Sequence, residues 1–333
     1  MRALVMTAPG GAEFSEVREV AAPRPGPGEI SVDVAHAGLN FADVMARRGD
    51  AGYASVWPYV PGLEVAGTVR EVGPGVEGLA VGQRVAAVTS GGGIAEVAVA
   101  RAAVTAVVPD GLPLRAAAAA PTGLATALLL LADVGRFAAG DTVLVHSASG
   151  GIGTALARLV PLLGGGRLIG TVGRPDKVAE AERSGYDLAL ARSGGDDVLA
   201  EAVLAANGGR GVDLVLDPLG TAALDLDLAV TAPGGRIVLF GNASGGAPAP
   251  LPSAGRLLGG NLTISGFSHR GLAAAAPHRV AAALRRTLAL LAEGRLELPV
   301  TEVDSLAGVP AVHDLLAAGQ GAGKYVVRLG AAG

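Results

Sequence analysis

The chain of 333 residues is half hydrophobic and 17% charged, and its formal net charge is −4. This composition provides a buried core for more than one domain and disfavours disorder. Because the chain has no cysteine, disulfides and thiolate metal sites are excluded. The absence of clustered Lys and Arg disfavours a nucleic-acid partner.

The first 110 residues are predicted to form a β-rich domain. Short valine-rich runs at 30–35, 65–72 and 84–88 are separated by Pro/Gly clusters such as 23–28. This spacing favours a compact, barrel-like β domain over alternating strands and helices. The first residues are soon interrupted by Pro9 and two glycines, so we expect no signal peptide, no membrane partner and a cytoplasmic location.

The pattern changes near residue 116. The apolar stretch 116–132 contains Pro121 and two threonines, so we expect a buried helix there instead of a membrane span. Strands and helices then alternate, which predicts a parallel sheet with right-handed crossovers. The predicted strands are 142–146, 167–172, 188–191, 212–217, 236–241 and 262–265, with helices at 154–163 and 177–184. Beyond them we predict a helix at 277–293, a strand at 299–303, a helix at 309–318 and a strand at 325–329.

A glycine-rich turn follows the first strand of the predicted parallel sheet. Ala148, Gly150 and Gly153 match the pattern G-x-G-x-x-G with Ala in the first position. Gly150 lets the backbone approach a pyrophosphate, Gly153 lets the helix pack on the strand, and the helix N-terminus attracts phosphates. With 52 glycines in the chain, a structural turn without a ligand is the alternative. The position of the turn between a strand and a helix favours a dinucleotide site.

The end of the second strand bears on the choice between NAD and NADP. An NAD site carries an acid on the ribose about 20 residues after the turn. Here Gly173 and Arg174 stand at that position, and Lys177 follows. The glycine leaves room for a 2′-phosphate that the two cations would neutralise, so NADPH is the expected cofactor. One alternative is that both cations are solvated surface charges. The other concerns Asp176, which argues for NAD if it is the ribose acid and not simply an acid in the first turn of a helix.

Further motifs are distributed along the whole chain: GLNFADVMARRG at 38–49, PYVPGLEVAG at 58–67, the phosphate turn, DPLG at 217–220, FGNASG at 240–245 and GKYVV at 323–327. In their order and spacing, they resemble the zinc-free quinone oxidoreductases of the medium-chain dehydrogenase/reductase superfamily. Within that family, the segments at 40–47 and 217–220 resemble the vesicle-amine-transport-protein-like members. The resemblance implies an α/β fold with a doubly wound Rossmann domain, residues 119–266, inserted in a barrel-like, GroES-like catalytic domain, residues 1–118 and 267–333.

Zinc-dependent relatives place Cys where Asn40 stands and His where Leu63 stands, and they carry a four-cysteine lobe that has no counterpart here. We therefore expect no metal. Without a Lewis acid, alcohol oxidation loses its main catalyst. Hydride transfer to an activated C=C remains feasible, because the adjacent carbonyl accepts the charge as an enolate. The expected reaction is reduction of a quinone, enone or enoyl substrate.

The resemblance also implies roles for individual residues. The expected cofactor-binding residues are Ser149, Gly150, Gly151 and Ile152 at the pyrophosphate, Gly173, Arg174, Lys177 and Arg192 at the 2′-phosphate, Phe240, Gly241 and Asn242 at the nicotinamide ribose, and Phe267, Ser268 and His269 at the nicotinamide. Asn40 and Tyr53 would face the substrate. Tyr53 is the best side-chain proton donor, since a phenol can hydrogen-bond an enolate oxygen, and water is the alternative donor. Glu64 and His146 are interpreted as structural.

Two functions remain open. The first is an NADPH-dependent reductase acting on a small-molecule substrate. The second is a family scaffold recruited to a non-redox role, either as a lyase or cyclase in secondary metabolism or as a cofactor-binding interaction protein. Under both, a homodimer is expected through the apolar segment 261–265, which would otherwise be an unpaired sheet edge.

Overall fold

The computed structural model describes residues 1–245 and 247–330, so Gly246 and the last three residues of the expected catalytic domain, 331–333, lie outside it. The chain forms two compact units. One unit comprises Met1–Thr126 and Leu272–Gly333, and the other comprises Ala127–Gly271. The second unit therefore interrupts the first. We refer to them by the roles expected from the sequence, as the catalytic unit and the dinucleotide unit.

The secondary structure of the described residues is given in chain order. The strands are β1 (Arg2–Met6), β2 (Ser15–Glu19), β3 (Glu29–Leu39), β4 (Glu64–Val72), β5 (Arg84–Val88), β6 (Val97–Arg101), β7 (Thr105–Val107), β8 (Val143–His146), β9 (Leu168–Val172), β10 (Leu188–Ala191), β11 (Val212–Asp217), β12 (Thr231–Leu239), β13 (Thr263–Gly266), β14 (Val300–Val303) and β15 (Lys324–Arg328). The helices are α1 (Phe41–Arg48), α2 (Leu114–Ala117), α3 (Ala125–Leu129), α4 (Gly151–Leu162), α5 (Val178–Ser184), α6 (Asp196–Ala206), α7 (Leu224–Val230), α8 (Ala254–Gly260), α9 (His269–Ala275), α10 (Pro277–Ala292) and α11 (Val309–Ala317).

The dinucleotide unit contains a six-stranded sheet in the order β10-β9-β8-β11-β12-β13. All of its neighbouring strands are parallel. Counted from β8, this is the order 3-2-1-4-5-6 of a doubly wound Rossmann sheet, whose strand order reverses between β8 and β11. Val143, Leu144 and Val145 of β8 are completely buried, as expected for a parallel strand covered on both faces. The predicted fold class is confirmed.

The catalytic unit is built on a mixed sheet in the order β14-β15-β3-β4-β5-β7, and β6 also pairs with β3. Its pairs are antiparallel except for β14 with β15. Its core is a cluster of small and branched aliphatic side chains that includes Leu4, Ile30, Val65, Val85 and Val327. The expectation of a barrel-like β domain therefore holds for this unit.

One predicted strand differs in its bounds. Residues 236–239 of the predicted 236–241 belong to β12, which begins five residues earlier, at Thr231, and ends at Leu239. Pro233 and Gly234 inside it have the composition of a turn, and Gly234 has a positive φ of 82°. The strand is irregular there, because its register with β11 shifts between Val212 and Leu214. Because Pro233 and Gly234 are typical of a turn, the sequence does not predict the first part of β12.

The apolar segment near residue 120 is helical. Leu114–Val134 is long and apolar enough to cross a membrane by length and composition alone, but 72% of its most apolar window is buried within the protein. α2 and α3 belong to this stretch, together with wider helical turns at Ala120–Leu124 and Leu130–Val134. The segment has the burial of a core helix, as predicted.

Candidate functional site

The expected cofactor-binding residues follow the carboxyl ends of neighbouring strands in the dinucleotide unit. Ser149–Ile152 follow β8, Gly173, Arg174 and Lys177 follow β9, Arg192 follows β10, Phe240–Asn242 follow β12, and Phe267–His269 follow β13. Because these strands are parallel, the fold brings all of these residues to one edge of the sheet. Ligands of doubly wound sheets bind at this edge, near the point where the strand order reverses.

The turn between β8 and α4 has the geometry of a phosphate cradle. Gly150 is the residue before α4, and its own N–H donates to the Ser147 carbonyl at 2.9 Å. Within the described residues, the N–H groups of Gly151 and Ile152 donate no hydrogen bond, as is usual for a first helical turn. A Cβ on Gly153 would lie 2.3 Å from the Ala148 carbonyl oxygen. Only glycine therefore permits this packing of α4. The N–H groups of Gly151 and Ile152 remain available to bind an anion.

The two cations predicted for the 2′-phosphate are both paired with nearby acids. Arg174 binds Asp176 through Nε–Oδ1 at 3.0 Å and Nη2–Oδ2 at 3.3 Å. This pairing raises the pKa of Arg174 and lowers that of Asp176, chiefly through the side-chain hydrogen bond. Lys177 Nζ lies 3.0 Å from Glu180 Oε2. A phosphate at this position would compete with these acids for both cations.

Arg192 lies in a different environment. A Cβ on Gly173 would be 3.1 Å from Arg192 Nη2, so the guanidinium lies directly against the glycine. Among the described residues, no carboxylate lies within salt-bridge distance of Arg192. Burial lowers the pKa of Arg192, and the nearby Asp217 carboxylate opposes that effect. Of the three predicted cations, Arg192 has the charge that no acid compensates directly.

A buried polar cluster adjoins Arg192. His146 Nε2 lies 2.7 Å from Asp227 Oδ1, and His146 Nδ1 lies 2.6 Å from Thr171 Oγ1. Arg192 Nη1 donates to the same Thr171 oxygen at 3.5 Å. Asp217 accepts from the backbone N–H of Leu219 at 2.6 Å, and its pKa is raised to about 7, mainly by burial.

The loops after β11 and β12 support each other. Phe240 N–H donates to the Asp217 carbonyl at 2.8 Å. A Cβ on Gly241 would lie 2.5 Å from the Pro218 carbonyl oxygen, so this close approach requires glycine. After β13, Phe267 N–H donates to the Leu239 carbonyl at 2.9 Å, and Ser268 Oγ accepts from the N–H of Gly271 at 3.1 Å. These loops hold the predicted nicotinamide-side residues by backbone contacts.

In the catalytic unit, Asn40 belongs to a buried ionic network. Glu64 and Lys324 are 0% and 3% exposed, and Lys324 Nζ lies 2.5 Å from Glu64 Oε1. Asn40 Nδ2 donates to Glu64 Oε1 at 3.0 Å and to the Gly38 carbonyl at 3.4 Å, while Lys324 Nζ donates to Asn40 Oδ1 at 2.7 Å. Glu64 Oε2 accepts from the N–H of Thr122 at 2.7 Å. The Asn40 amide is therefore held in place by this network, which joins β3, β4 and β15.

The other predicted catalytic residue, Tyr53, lies in the turn after α1. Its N–H donates to the Asp50 carbonyl at 3.2 Å, and its side chain is half-buried. Burial, followed by the nearby Asp50 carboxylate, raises the pKa of the phenol. Tyr53 is therefore a protonated hydroxyl across the neutral range, which a proton donor requires.

The sequence does not reveal two features of these sites. The first is the buried ion pair of Lys324 with Glu64. The second is the set of partners of the three cations at the dinucleotide edge. No local signal could reveal the Lys324–Glu64 pair, because its members lie on strands far apart in the chain. No group of three or more His, Asp or Glu side chains that could hold a metal ion is found within residues 1–245 and 247–330.

Two models of known protein families match this chain. Residues 26–110 match the model of the alcohol dehydrogenase GroES-like domain, and residues 151–288 match the model described as zinc-binding dehydrogenase. Asn40 and Leu63, which stand where zinc ligands are expected in metal-dependent relatives, lie within the first match.

Similar proteins include both full-length relatives and much longer ones. The chain is 30% identical to the human synaptic vesicle membrane protein VAT-1 homolog over 91% of its own length and 80% of the relative. It is 36% identical to the spectinabilin polyketide synthase system protein NorB of Streptomyces orinoci over 93% of its length, but spans only 14% of that protein. The Escherichia coli quinone oxidoreductase solved with NADPH superposes with a TM-score of 0.87 at 26% identity, covering 98% of this chain and 100% of that one.

Proposed function

We propose a function from the premise that this chain belongs to the zinc-free quinone oxidoreductase-like family of the medium-chain dehydrogenase/reductase superfamily. The resemblance predicted from its motifs is thereby confirmed. The proposed function is NADPH-dependent transfer of a hydride to the activated C=C of a quinone, enone or enoyl substrate. The observation that carries it is the glycine turn of Gly150 and Gly153, which lies at the same edge of the sheet as Arg192, a cation without a salt-bridge partner among the described residues.

The choice of NADPH is supported by the residues near Gly173. No acid stands at the ribose position; Arg174 and Lys177 follow the glycine in the chain, and Arg192 lies against it. A 2′-phosphate is the anion that such a set of cations would bind. The Escherichia coli relative was solved with NADPH, which supports the same cofactor here.

The choice of an activated double bond is supported by the catalytic unit. Asn40 stands at a zinc-ligand position of the metal-dependent relatives, and Glu64 and Lys324 hold it. When bound, NADPH supplies the hydride. Tyr53 would donate a proton to the reduced substrate, so that one hydride and one proton saturate the C=C bond. Asn40 would donate a hydrogen bond to the substrate from Nδ2. The hydrogen available for it is the one in the long, 3.4 Å contact with the Gly38 carbonyl.

The proposed function is tested with a panel of quinones, α,β-unsaturated ketones and enoyl thioesters. Enoyl thioesters are included because the chain is similar to part of a polyketide synthase protein. The test follows the absorbance of NADPH with each substrate. Turnover with one class supports the reductase, and Tyr53→Phe should lower kcat about 100-fold if the phenol is the proton donor. Tyr59→Phe is the matched control. Tight NADPH binding without turnover across the panel contradicts the reductase and favours the non-redox role.

We also propose a homodimer formed through the free edge of β13, and a cytoplasmic location with access to NADPH. The support for the dimer is that β13 has a single neighbour in the described sheet, β12. Unpaired edges of this kind promote association.

A further inference from the structure

A chain of buried polar side chains links α7 to Arg192 and has no part in the function proposed above. Its members Asp227, His146 and Thr171 are at most 1% exposed. They lie in three different elements of the dinucleotide unit, namely α7, β8 and β9. Polar groups buried this deeply cost free energy unless they are hydrogen-bonded, so their alignment demands an explanation.

The hydrogen bonds of this chain can all run in one direction. A carboxylate only accepts, so the 2.7 Å contact with Asp227 requires a hydrogen on His146 Nε2. A ring with its single N–H on Nε2 leaves Nδ1 as an acceptor, and the Thr171 hydroxyl can donate to it at 2.6 Å. The lone pairs of Thr171 Oγ1 remain to accept from Arg192 Nη1. The donors therefore run from the guanidinium through Thr171 and His146 to the buried carboxylate.

Arg192 is also confined on its other sides. Its backbone N–H donates to the Val172 carbonyl at 2.8 Å, which fixes the start of the side chain beside β9. Its Nη2 lies where a Cβ on Gly173 would be 3.1 Å away, so a larger residue there would crowd the guanidinium. Thr171 is the second-last residue of β9 and Gly173 directly follows the strand, and Arg192 lies against both. An arginine held in this way loses less side-chain freedom when it binds an anion.

We propose that Asp227, His146 and Thr171 are positioning residues that hold the Arg192 guanidinium against Gly173, where it binds the 2′-phosphate of the dinucleotide. This inference rests on the proposed NADPH-dependent function and names the residues that set its cofactor preference. Arg174 and Lys177, already paired with Asp176 and Glu180, contribute less to that preference.

The test removes the hydroxyl that joins Arg192 to the histidine. Thr171→Val keeps the shape and β-branching of the side chain, and Thr171→Ser restores the hydroxyl. The dissociation constants of NADPH and NADH are measured by calorimetry for the wild type, both Thr171 variants, Arg192→Gln and the Val/Gln double variant. NADH binding serves as the control for folding, since NADH lacks the 2′-phosphate.

Thr171→Val should weaken NADPH binding about tenfold and leave NADH binding unchanged, and Thr171→Ser should bind NADPH as the wild type does. Arg192→Gln should weaken NADPH at least as much, and the double variant no further, because both changes remove the same contact. Equal losses for both dinucleotides, or losses that add in the double variant, would overturn the proposal. So would unchanged NADPH binding in Thr171→Val.

The wild type separates this inference from the function on which it rests. A wild-type protein that binds neither dinucleotide refutes the cofactor assignment and the positioning chain together. A wild-type protein that prefers NADPH while Thr171→Val behaves identically refutes only the positioning chain. Nitrogen NMR of His146 gives an independent readout: a hydrogen on Nε2 and none on Nδ1 is expected, and a hydrogen on Nδ1 contradicts the direction of the chain.

Discussion

Gly153 illustrates how one absent side chain sets the distance between a helix and a strand. A Cβ at this position would lie 2.3 Å from the Ala148 carbonyl oxygen, and backbone atoms cannot yield as a flexible side chain can. Gly153→Ala should therefore displace α4, lower the free energy of unfolding by about 1 to 3 kcal/mol, and weaken NADPH binding. Urea denaturation and calorimetry measure the two effects.

Gly259 provides the matched control for this substitution. It lies in α8 and is exposed, and a Cβ added to it would have no neighbouring atom within 4 Å. Gly259→Ala should leave NADPH binding unchanged and stabilise the protein by up to about 1 kcal/mol, because alanine restricts the unfolded chain. Equal behaviour of the two alanine variants would contradict the role assigned to Gly153.

His313 connects a single side chain with the pH dependence of stability. It is 0% exposed, and its pKa is lowered from 6.5 to about 4, first by burial and then by Arg47. Between these values the unfolded chain binds the proton and the folded chain does not. The stability contributed by neutral His313 is therefore complete above the unfolded pKa and is lost as the pH falls toward 4.

On lowering the pH from about 7 to about 5, this group should cost the wild type about 2 kcal/mol of unfolding free energy. His313→Leu should remove that part of the pH dependence, since leucine has nothing to protonate. Urea denaturation of both proteins at the two pH values measures the difference. Parallel losses in the two proteins would show that His313 is not responsible.

Among the elements, those with a regular local pattern were predictable from the sequence. β10 and β11 occur at the predicted residues, and α4 begins at the glycine turn. α7 was missed, because its buried Asp227 interrupts the apolar periodicity that marks a core helix. The acid is explained only by its contact with His146, which lies 81 residues earlier in the chain. Contacts of this kind form only in the folded tertiary structure, so the spacing of residues within one segment of the sequence does not predict them.

The Glu64–Lys324 ion pair, together with Asn40, links β3, β4 and β15. Lys324 begins β15, Glu64 begins β4, and Asn40 follows β3. Lys324→Met should destabilise the protein by about 3 to 5 kcal/mol, because it leaves the Glu64 carboxylate buried without its countercharge. Adding Glu64→Gln should recover part of that loss, since the amide is neutral and still accepts from the Thr122 N–H. Urea denaturation measures each variant.

The chain's other lysine is the control. Lys177 forms a partly exposed ion pair with Glu180, so Lys177→Met should change the unfolding free energy of the cofactor-free protein by less than about 1 kcal/mol. A similarly small effect of Lys324→Met would show that the buried pair contributes little to the joining of the strands.

For the molecule as a whole, the dinucleotide unit is one continuous segment that interrupts the catalytic unit. Each unit has its own hydrophobic cluster, which includes Ile30 and Val65 in the catalytic unit and Leu144 and Val215 in the dinucleotide unit. The residues assigned to the cofactor belong to one unit, and those assigned to the substrate belong to the other. Substitutions can therefore separate the two functions: Arg192→Gln should affect cofactor binding, whereas Tyr53→Phe should affect turnover with NADPH binding unchanged.

The proposed homodimer gives the last prediction. β13 is an edge strand, and the preceding helix α8 carries Leu258, which is 77% exposed. If a second copy pairs with β13, this leucine lies beside the interface, and its burial stabilises the dimer by about 1 to 3 kcal/mol. Leu258→Arg should then shift the protein toward a monomer in light scattering at low micromolar concentration. Val81→Arg is the control, because Val81 is 66% exposed and belongs to the catalytic unit. A wild-type protein with the mass of a single chain, or equal loss of association in both variants, would contradict a dimer through β13.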